Sequence, residues 1–162
     1  MTDSSDARLR RQLRDELTSS HAHVTFEHAF RGVPRELRAA RPDGQPHTLW
    51  ALLEHLRIAL WDILEFSRGP EHVSPKWPDG YWPAGDAPPD DAAWEESLRR
   101  FAADLAAFCA LIDDPGRDLF APFPWGDGQT LLREALVIVD HNGYHLGQVV
   151  TLRQLLGCWP PG

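Results

Sequence analysis

A long segment rich in proline, glycine and aromatic residues runs from Gly69 to Pro89, within a chain whose pattern is otherwise helical. Apolar residues recur every three to four positions on both sides of it, and alternating strand-like runs are absent. Helices joined by short loops are antiparallel neighbours, whereas a long crossover allows two helices to run parallel. The length of this segment therefore limits the possible topologies more than any other feature of the chain.

Four helices are predicted around this crossover. Their expected ranges are about 6–30, 48–67, 90–113 and 130–156. Thr48 is available as the N-cap of the second helix, and Gly157 ends the fourth. The fourth helix is apolar on nearly all sides, which is typical of a helix buried at the centre of a protein. We therefore predict an all-α four-helix bundle, formed by the whole chain 1–162 as a single domain, with residues 1–5 disordered.

Charge and cysteine content exclude several functional classes. The formal net charge of −8 argues against binding to the nucleic-acid backbone or to an anionic membrane surface. No apolar run is long enough to cross a bilayer, and we expect no signal peptide. Cys109 and Cys158 form neither a short-spaced metal motif nor a disulfide framework. A cytoplasmic protein with reduced thiols is expected.

Three histidines form the most specific chemical pattern in the sequence. His141 and His145 are four residues apart, so their imidazoles lie about one turn apart on one helix face, close enough to bind a single metal ion. Gln148 continues this face. His55 lies at the edge of the apolar stripe of the second helix, beside small side chains. Three imidazoles leave a fourth position open on a tetrahedral ion, as catalytic zinc sites do. A histidine pair satisfied by hydrogen bonds alone is the alternative.

Two carboxylates share faces with these histidines. Asp62 lies two turns after His55, and Glu134 lies two turns before His141. Either can orient a ligand through its second ring nitrogen or act as a base on metal-bound water, and Glu134 can also complete the coordination. A partly exposed carboxylate at the end of the bundle is the alternative interpretation of both residues.

The remaining histidines and the linker aromatics are interpreted more simply. Five histidines lack a partner at ligand spacing and are predicted to be ordinary polar side chains; these are His21, His23, His28, His47 and His72. The aromatic residues of the two long linkers are expected mainly to pack the linkers against the bundle, and some of them to line a pocket over the metal; they are Trp77, Tyr81, Trp82, Phe123 and Trp125.

Two segments resemble the DinB/YfiT-like superfamily of bacterial proteins. They are Glu54-His55-Leu56, followed by the crossover, and His141-Asn142-Gly143-Tyr144-His145-Leu146-Gly147-Gln148. The resemblance extends over nearly the whole chain in helix order. It implies up-down-down-up topology with the crossover between helices two and three, often a homodimer. It also implies a divalent ion such as zinc or nickel bound by His55, His141 and His145.

The resemblance leaves several reactions open. Some members of the superfamily are S-transferases or isomerases that use mycothiol, bacillithiol or glutathione, others are hydrolases, and others have no known activity. The leading hypothesis is a metal-dependent S-transferase that activates a low-molecular-weight thiol, because a metal-held thiolate needs no nucleophile from the protein. The alternatives are a metal-dependent hydrolase with Glu134 or Asp62 as base, and a non-catalytic metal- or ligand-binding stress-response protein. A small-molecule substrate is the expected partner in the first two cases.

Overall fold

Five α-helices make up most of the computed structural model, which describes residues 4–160. They are α1 (Ser5–Thr18), α2 (Phe26–Phe30), α3 (Leu49–Arg68), α4 (Asp91–Asp113) and α5 (Leu131–Leu155). Two short 3-10 helices, Arg35–Leu37 and Asp79–Tyr81, lie in the connections. No β-strand occurs among these residues, which contain one isolated bridge between Pro122 and Thr130. The prediction of an all-α fold is confirmed.

The prediction of one continuous helix over 6–30 is wrong. α1 ends at Thr18, and α2 begins only at Phe26. Ser19 closes α1 by donating its hydroxyl to the Asp15 carboxylate at 2.8 Å, and Thr25 caps α2. Serine and threonine side chains compete with the helix backbone for hydrogen bonds. The polar run between the two helices therefore ends α1, although both flanking segments have a helical pattern.

The other three predicted helices begin within one residue of their expected positions. In each case the N-cap side chain accepts a hydrogen bond from the backbone N–H three residues later; the caps are Thr48, Asp90 and Thr130. Ser4 caps α1 in the same way, so Ser4 and Ser5 belong to the start of that helix. Residues 1–3, the rest of the segment predicted to be disordered, lie outside the described residues.

The four long helices pack around one apolar core. α1 and α3 each pack against both α4 and α5, and the short α2 packs against α5. The largest fully buried apolar side chains come from α3, α4 and the segment before α5, and include Trp94, Phe101, Phe108, Leu53, Leu56 and Leu119. Because α3 and α5 are in contact, residues on their facing sides can form a common site. The helix directions expected from the resemblance, up-down-down-up, stay a prediction.

α5 is less enclosed than its sequence predicted. One side of it packs into the core, but Leu136, Tyr144 and Leu155 are more than half exposed. The expectation that α5 is buried on nearly all sides is therefore wrong, because its solvent-facing side carries these apolar side chains among polar ones such as Asp140 and Thr151. Between residues 4 and 160, no helix has the length and hydropathy needed to cross a membrane.

Candidate metal centre

The three histidines predicted as metal ligands lie together between α3 and α5. The Nε2 atom of His55 is 3.1 Å from Nε2 of His145 and 3.0 Å from Nε2 of His141. His55 and His145 are buried, and His141 is half-buried. One ring nitrogen of each histidine lies within 4.8 Å of the other two. The helical spacing and the contact between two distant helices thus bring the predicted residues to one point.

The outer nitrogens of two rings have partners that determine where the protons lie. Nδ1 of His55 lies 2.9 Å from the backbone carbonyl oxygen of Tyr81, and Nδ1 of His145 lies 2.9 Å from Oε1 of Gln148. A carbonyl oxygen only accepts hydrogen bonds, so in each neutral ring Nδ1 carries the proton. The Nε2 atoms then direct their lone pairs at one another. A cation bound between the rings removes this repulsion, as does a proton donated by Nε2 of His141.

This donor set fits a divalent ion. A tetrahedral zinc ion with bonds of about 2.0–2.1 Å to nitrogen separates its ligand atoms by about 3.3 Å. The observed Nε2 separations of 3.0 and 3.1 Å are shorter by only a few tenths of an ångström. Hydrogen bonds from the second ring nitrogen to a carbonyl are also the usual support of metal-binding histidines. The cluster has the ligand type that such an ion requires, and two of its nitrogen–nitrogen separations are close to the spacing that the ion needs.

Burial keeps these imidazoles neutral. It lowers the pKa of His55 to about 4, against the opposing effect of the hydrogen bond to Tyr81. It also lowers the pKa of His141 to about 4, with a further contribution from the two neighbouring imidazoles. The pKa of His145 is lowered for the same primary reason. Metal binding requires deprotonated ligands, so at neutral pH no proton has to be removed from this site.

The crossover between α3 and α4 holds His55 in place. The indole of Trp82 stacks on the His55 ring with centroids 4.0 Å apart and planes within 5°. His47 stacks on the opposite face of the same indole, also at 4.0 Å. With the Tyr81 carbonyl, the crossover therefore fixes both the plane and the tautomer of His55. Sequence reasoning placed Trp82 only among the linker aromatics and assigned His47 no role, because no periodic spacing relates either residue to His55.

Asp62 lines a cavity that also borders the three histidines, but both of its carboxylate oxygens accept hydrogen bonds. Oδ1 lies 2.7 Å from Nε2 of His72, and Oδ2 accepts a hydrogen bond from the Tyr81 hydroxyl at 2.6 Å. Burial, together with the Asp62 carboxylate, raises the pKa of Tyr81 to about 12, so this hydroxyl stays a donor. His72, predicted to be an ordinary polar side chain, is thus the partner of a predicted site residue.

Glu134 also lies in the cavity wall and is only 3% exposed. Its Oε1 accepts a hydrogen bond from Nη1 of Arg133 at 2.6 Å. The group of potential ligand atoms consists of the three histidines, and neither Glu134 nor Asp62 belongs to it. Both carboxylates therefore border the cavity without reaching the point where the imidazoles meet.

A cavity of about 390 Å³ opens onto the histidine cluster. Its apolar wall comes from α3 and α5 and includes Ala59, Ile63, Phe66 and Val137. Its polar lining includes Ser74, Gln129 and Arg133 in addition to the two carboxylates. Trp77, which is 73% exposed, lines it from the crossover. The predicted role of linker aromatics as pocket lining is confirmed for Trp77 and Tyr81. The volume suits a small molecule next to the three imidazoles.

The fold and the site together define the class of this protein. It is a helical protein in which histidines from two packed helices form a candidate metal centre beside a cavity. The family model described as DinB superfamily matches residues 8–149, which include all three histidines. The chain belongs to the DinB superfamily. Searches of curated proteins and of solved structures returned no match.

Proposed function

We propose that this protein binds a divalent metal ion, zinc or nickel, through His55, His141 and His145, and acts as a metal-dependent S-transferase on a low-molecular-weight thiol. The observation that carries the proposal is the convergence of three neutral imidazoles at a cavity large enough for a small molecule. When bound, the ion would supply the positive charge that keeps a thiol in its reactive thiolate form at neutral pH.

The protein's own residues have distinct parts in this proposal. The Tyr81 carbonyl and the Trp82 indole keep His55 oriented, and Gln148 does the same for His145. The apolar wall formed by Phe66 and Val137 keeps water from one side of the reacting sulfur. Since the three imidazoles occupy only part of a tetrahedral coordination sphere, a position is left for the substrate.

The engagement of both carboxylates favours thiol transfer over hydrolysis. Hydrolysis needs a base for water, and Asp62 already accepts hydrogen bonds on both oxygens. Thiol transfer needs no such base, because a thiol is far more acidic than water. Metal-dependent hydrolysis is the second candidate, since Glu134 is buried in the wall of the same cavity. Between residues 4 and 160, the one side-chain partner found for its carboxylate is its exposed neighbour Arg133.

We further propose that the protein is cytoplasmic and forms a homodimer of up-down-down-up bundles, with a small-molecule substrate and neither nucleic acid nor membrane as partner. Light scattering coupled to size-exclusion chromatography tests the dimer. A mass of one chain at micromolar concentration would contradict it.

A paired assay tests the proposed reaction. Tag-free protein loaded with zinc or nickel is incubated with a fluorogenic electrophile and each of several thiols, and the conjugate is quantified. We expect conjugation above the uncatalysed rate with at least one thiol, lost in His141→Ala and retained in His21→Ala, whose histidine lies outside the cluster. Equal rates in the two variants would overturn the proposal. Ester hydrolysis that is lost in Glu134→Gln with metal still bound would replace it with the hydrolase. Metal binding without either activity would replace it with a non-catalytic binding protein.

A further inference from the structure

Arg133 is the only cationic side chain among the residues that line the cavity at the histidine cluster. The lining contains two carboxylates, Asp62 and Glu134, and otherwise neutral groups. A bound divalent ion would therefore change the formal charge of the lining from −1 to +1. A cavity of net positive charge attracts anionic ligands.

The guanidinium of Arg133 is fixed on one side and open on the other. Its Nη1 donates to Glu134, whose side chain is 4% exposed, while the Arg133 side chain itself is 57% exposed. An arginine has five N–H donors in a planar fork that matches a carboxylate. Among the described residues, Glu134 is the only hydrogen-bond partner found for the Arg133 side chain, so donors remain for a ligand.

A second donor lies near Arg133 in the cavity lining. Oε1 of Gln129 accepts a hydrogen bond from the backbone N–H of Asp127 at 2.5 Å. This bond orients the amide, and its NH₂ group remains available as a donor. Gln129 is four residues before Arg133 and lines the same cavity. The end of the cavity near the start of α5 therefore offers donors, whereas the end near His141 offers a metal site.

The two ends are separated by a distance that suits a small peptide-like thiol. Arg133 and His141 lie on the same helix, eight residues or about 12 Å apart along its axis. Val137 lies between them on the cavity wall. A ligand that reaches both ends needs a metal-binding sulfur and an acidic group several bonds away.

We infer that Arg133, assisted by Gln129, is a binding subsite for the carboxylate of the thiol substrate, so that the protein selects acidic low-molecular-weight thiols over uncharged ones. The inference rests on the proposed function, because the thiol must bind at the histidine cluster for its carboxylate to reach Arg133. Arg133 acts here in recognition, through charge and paired hydrogen bonds, and takes no part in bond making or breaking.

Cobalt-loaded protein provides the test, because thiolate binding to Co²⁺ gives a charge-transfer absorption band. The probes are glutathione, its diethyl ester and 2-mercaptoethanol. We expect the native protein to bind glutathione about tenfold more tightly than the diester. This factor is the size expected for one charge-assisted hydrogen-bonded contact, between Arg133 and a carboxylate, at a partly exposed site. Arg133→Gln should remove this difference and leave the affinity for 2-mercaptoethanol unchanged. Arg133→Lys should retain part of it, and Arg99→Gln, an exposed arginine outside the cavity, should retain all of it.

Arg133→Gln leaves the buried Glu134 without its cationic partner, so the double variant Arg133→Gln/Glu134→Gln is measured as well. It should show the same loss of preference for glutathione with native-like thermal stability. Binding of glutathione and its diester with equal affinity by the native protein would overturn the inference and leave the proposed function standing. Failure of every thiol to produce the charge-transfer band would overturn both.

Discussion

Removal of the Trp82 indole should weaken metal binding without removing any metal ligand. Trp82 lies flat against His55, at 4.0 Å between ring centroids, and stands edge-on to His145 at 6.3 Å. In Trp82→Ala, the His55 ring loses the surface that fixes its plane and keeps only the hydrogen bond to the Tyr81 carbonyl. The imidazole is then freer to turn about its Cβ–Cγ bond, and its Nε2 atom no longer stays directed at the other two rings.

The size of this effect follows from the contacts that are lost. An aromatic pair stabilises by about 0.5–1.5 kcal/mol beyond the burial of its surface. A free energy of about 1.4 kcal/mol corresponds to a factor of ten in a dissociation constant. Groups that orient metal ligands without touching the metal typically change affinity by about 10–100-fold when removed. We therefore expect Trp82→Ala to raise the Kd for zinc about tenfold.

Competition with a chromophoric chelator measures this Kd, and two variants control for other effects. Trp82→Phe keeps an aromatic ring against His55. It should raise the Kd by about twofold or less, because most of the stacking energy is retained. Trp77→Ala removes an exposed indole that lines the cavity without stacking on a histidine, and should leave the Kd unchanged. Thermal unfolding of the metal-free variants verifies that each is folded. Equal Kd values for Trp82→Ala and Trp77→Ala would refute the orienting role of Trp82.

Three further predictions concern side chains outside the metal cluster. Burial raises the pKa of the Cys109 thiol to about 11. At pH 8, iodoacetamide should therefore label Cys158 in the native protein and Cys109 only after unfolding. Equal labelling of the two cysteines in the native protein, measured by mass spectrometry, would contradict this. Arg153 is fully buried and donates hydrogen bonds to three backbone carbonyls. Arg153→Met should therefore lower the free energy of unfolding, measured in urea, by about 3 kcal/mol. A decrease of less than about 1 kcal/mol would contradict a structural role for these hydrogen bonds. Burial alone would raise the pKa of Glu54, but hydrogen bonds, chiefly from Arg57, hold it below its unfolded value of 4.5. The Glu54 carboxylate therefore stabilises the fold above that pH, and this contribution is lost as the pH falls through the lower folded value. Thermal unfolding should show Glu54→Gln destabilised at pH 7, with a deficit that shrinks as the pH falls below 4.5; a deficit that stays constant with pH would disprove this.

The clustering of the three histidines was predictable because two of them obey helical periodicity. His141 and His145 are one turn apart on α5, and that spacing alone places their rings side by side. His55 needed a further inference, that the helix bearing it packs against α5, and an apolar stripe along α3 supported this. The N-caps Thr48 and Thr130 fixed the helix boundaries for an equally local reason, since each cap satisfies a backbone donor three residues away.

The environment of these histidines was not predictable, because it depends on the path of the crossover. Nothing periodic relates Trp82 or Tyr81 to His55, or His72 to Asp62. Helical phase correctly placed Asp62 and Glu134 toward the cavity, yet it could not show that the crossover engages both oxygens of Asp62 through His72 and Tyr81. The interruption after Thr18 was missed for a similar reason, because local hydrogen bonds of serine and threonine side chains outweighed the apolar pattern around them.

Metal analysis tests most directly whether His55, His141 and His145 bind one divalent metal ion, as we propose. Tag-free protein should be dialysed against zinc or nickel, and its metal content then measured by mass spectrometry beside X-ray absorption at the metal edge. We predict about one tightly bound ion per chain, with nitrogen ligands at about 2.0–2.1 Å, and loss of that ion in His141→Ala. Protein that retains no ion, or His141→Ala protein that binds it as tightly as the native chain, would contradict the account.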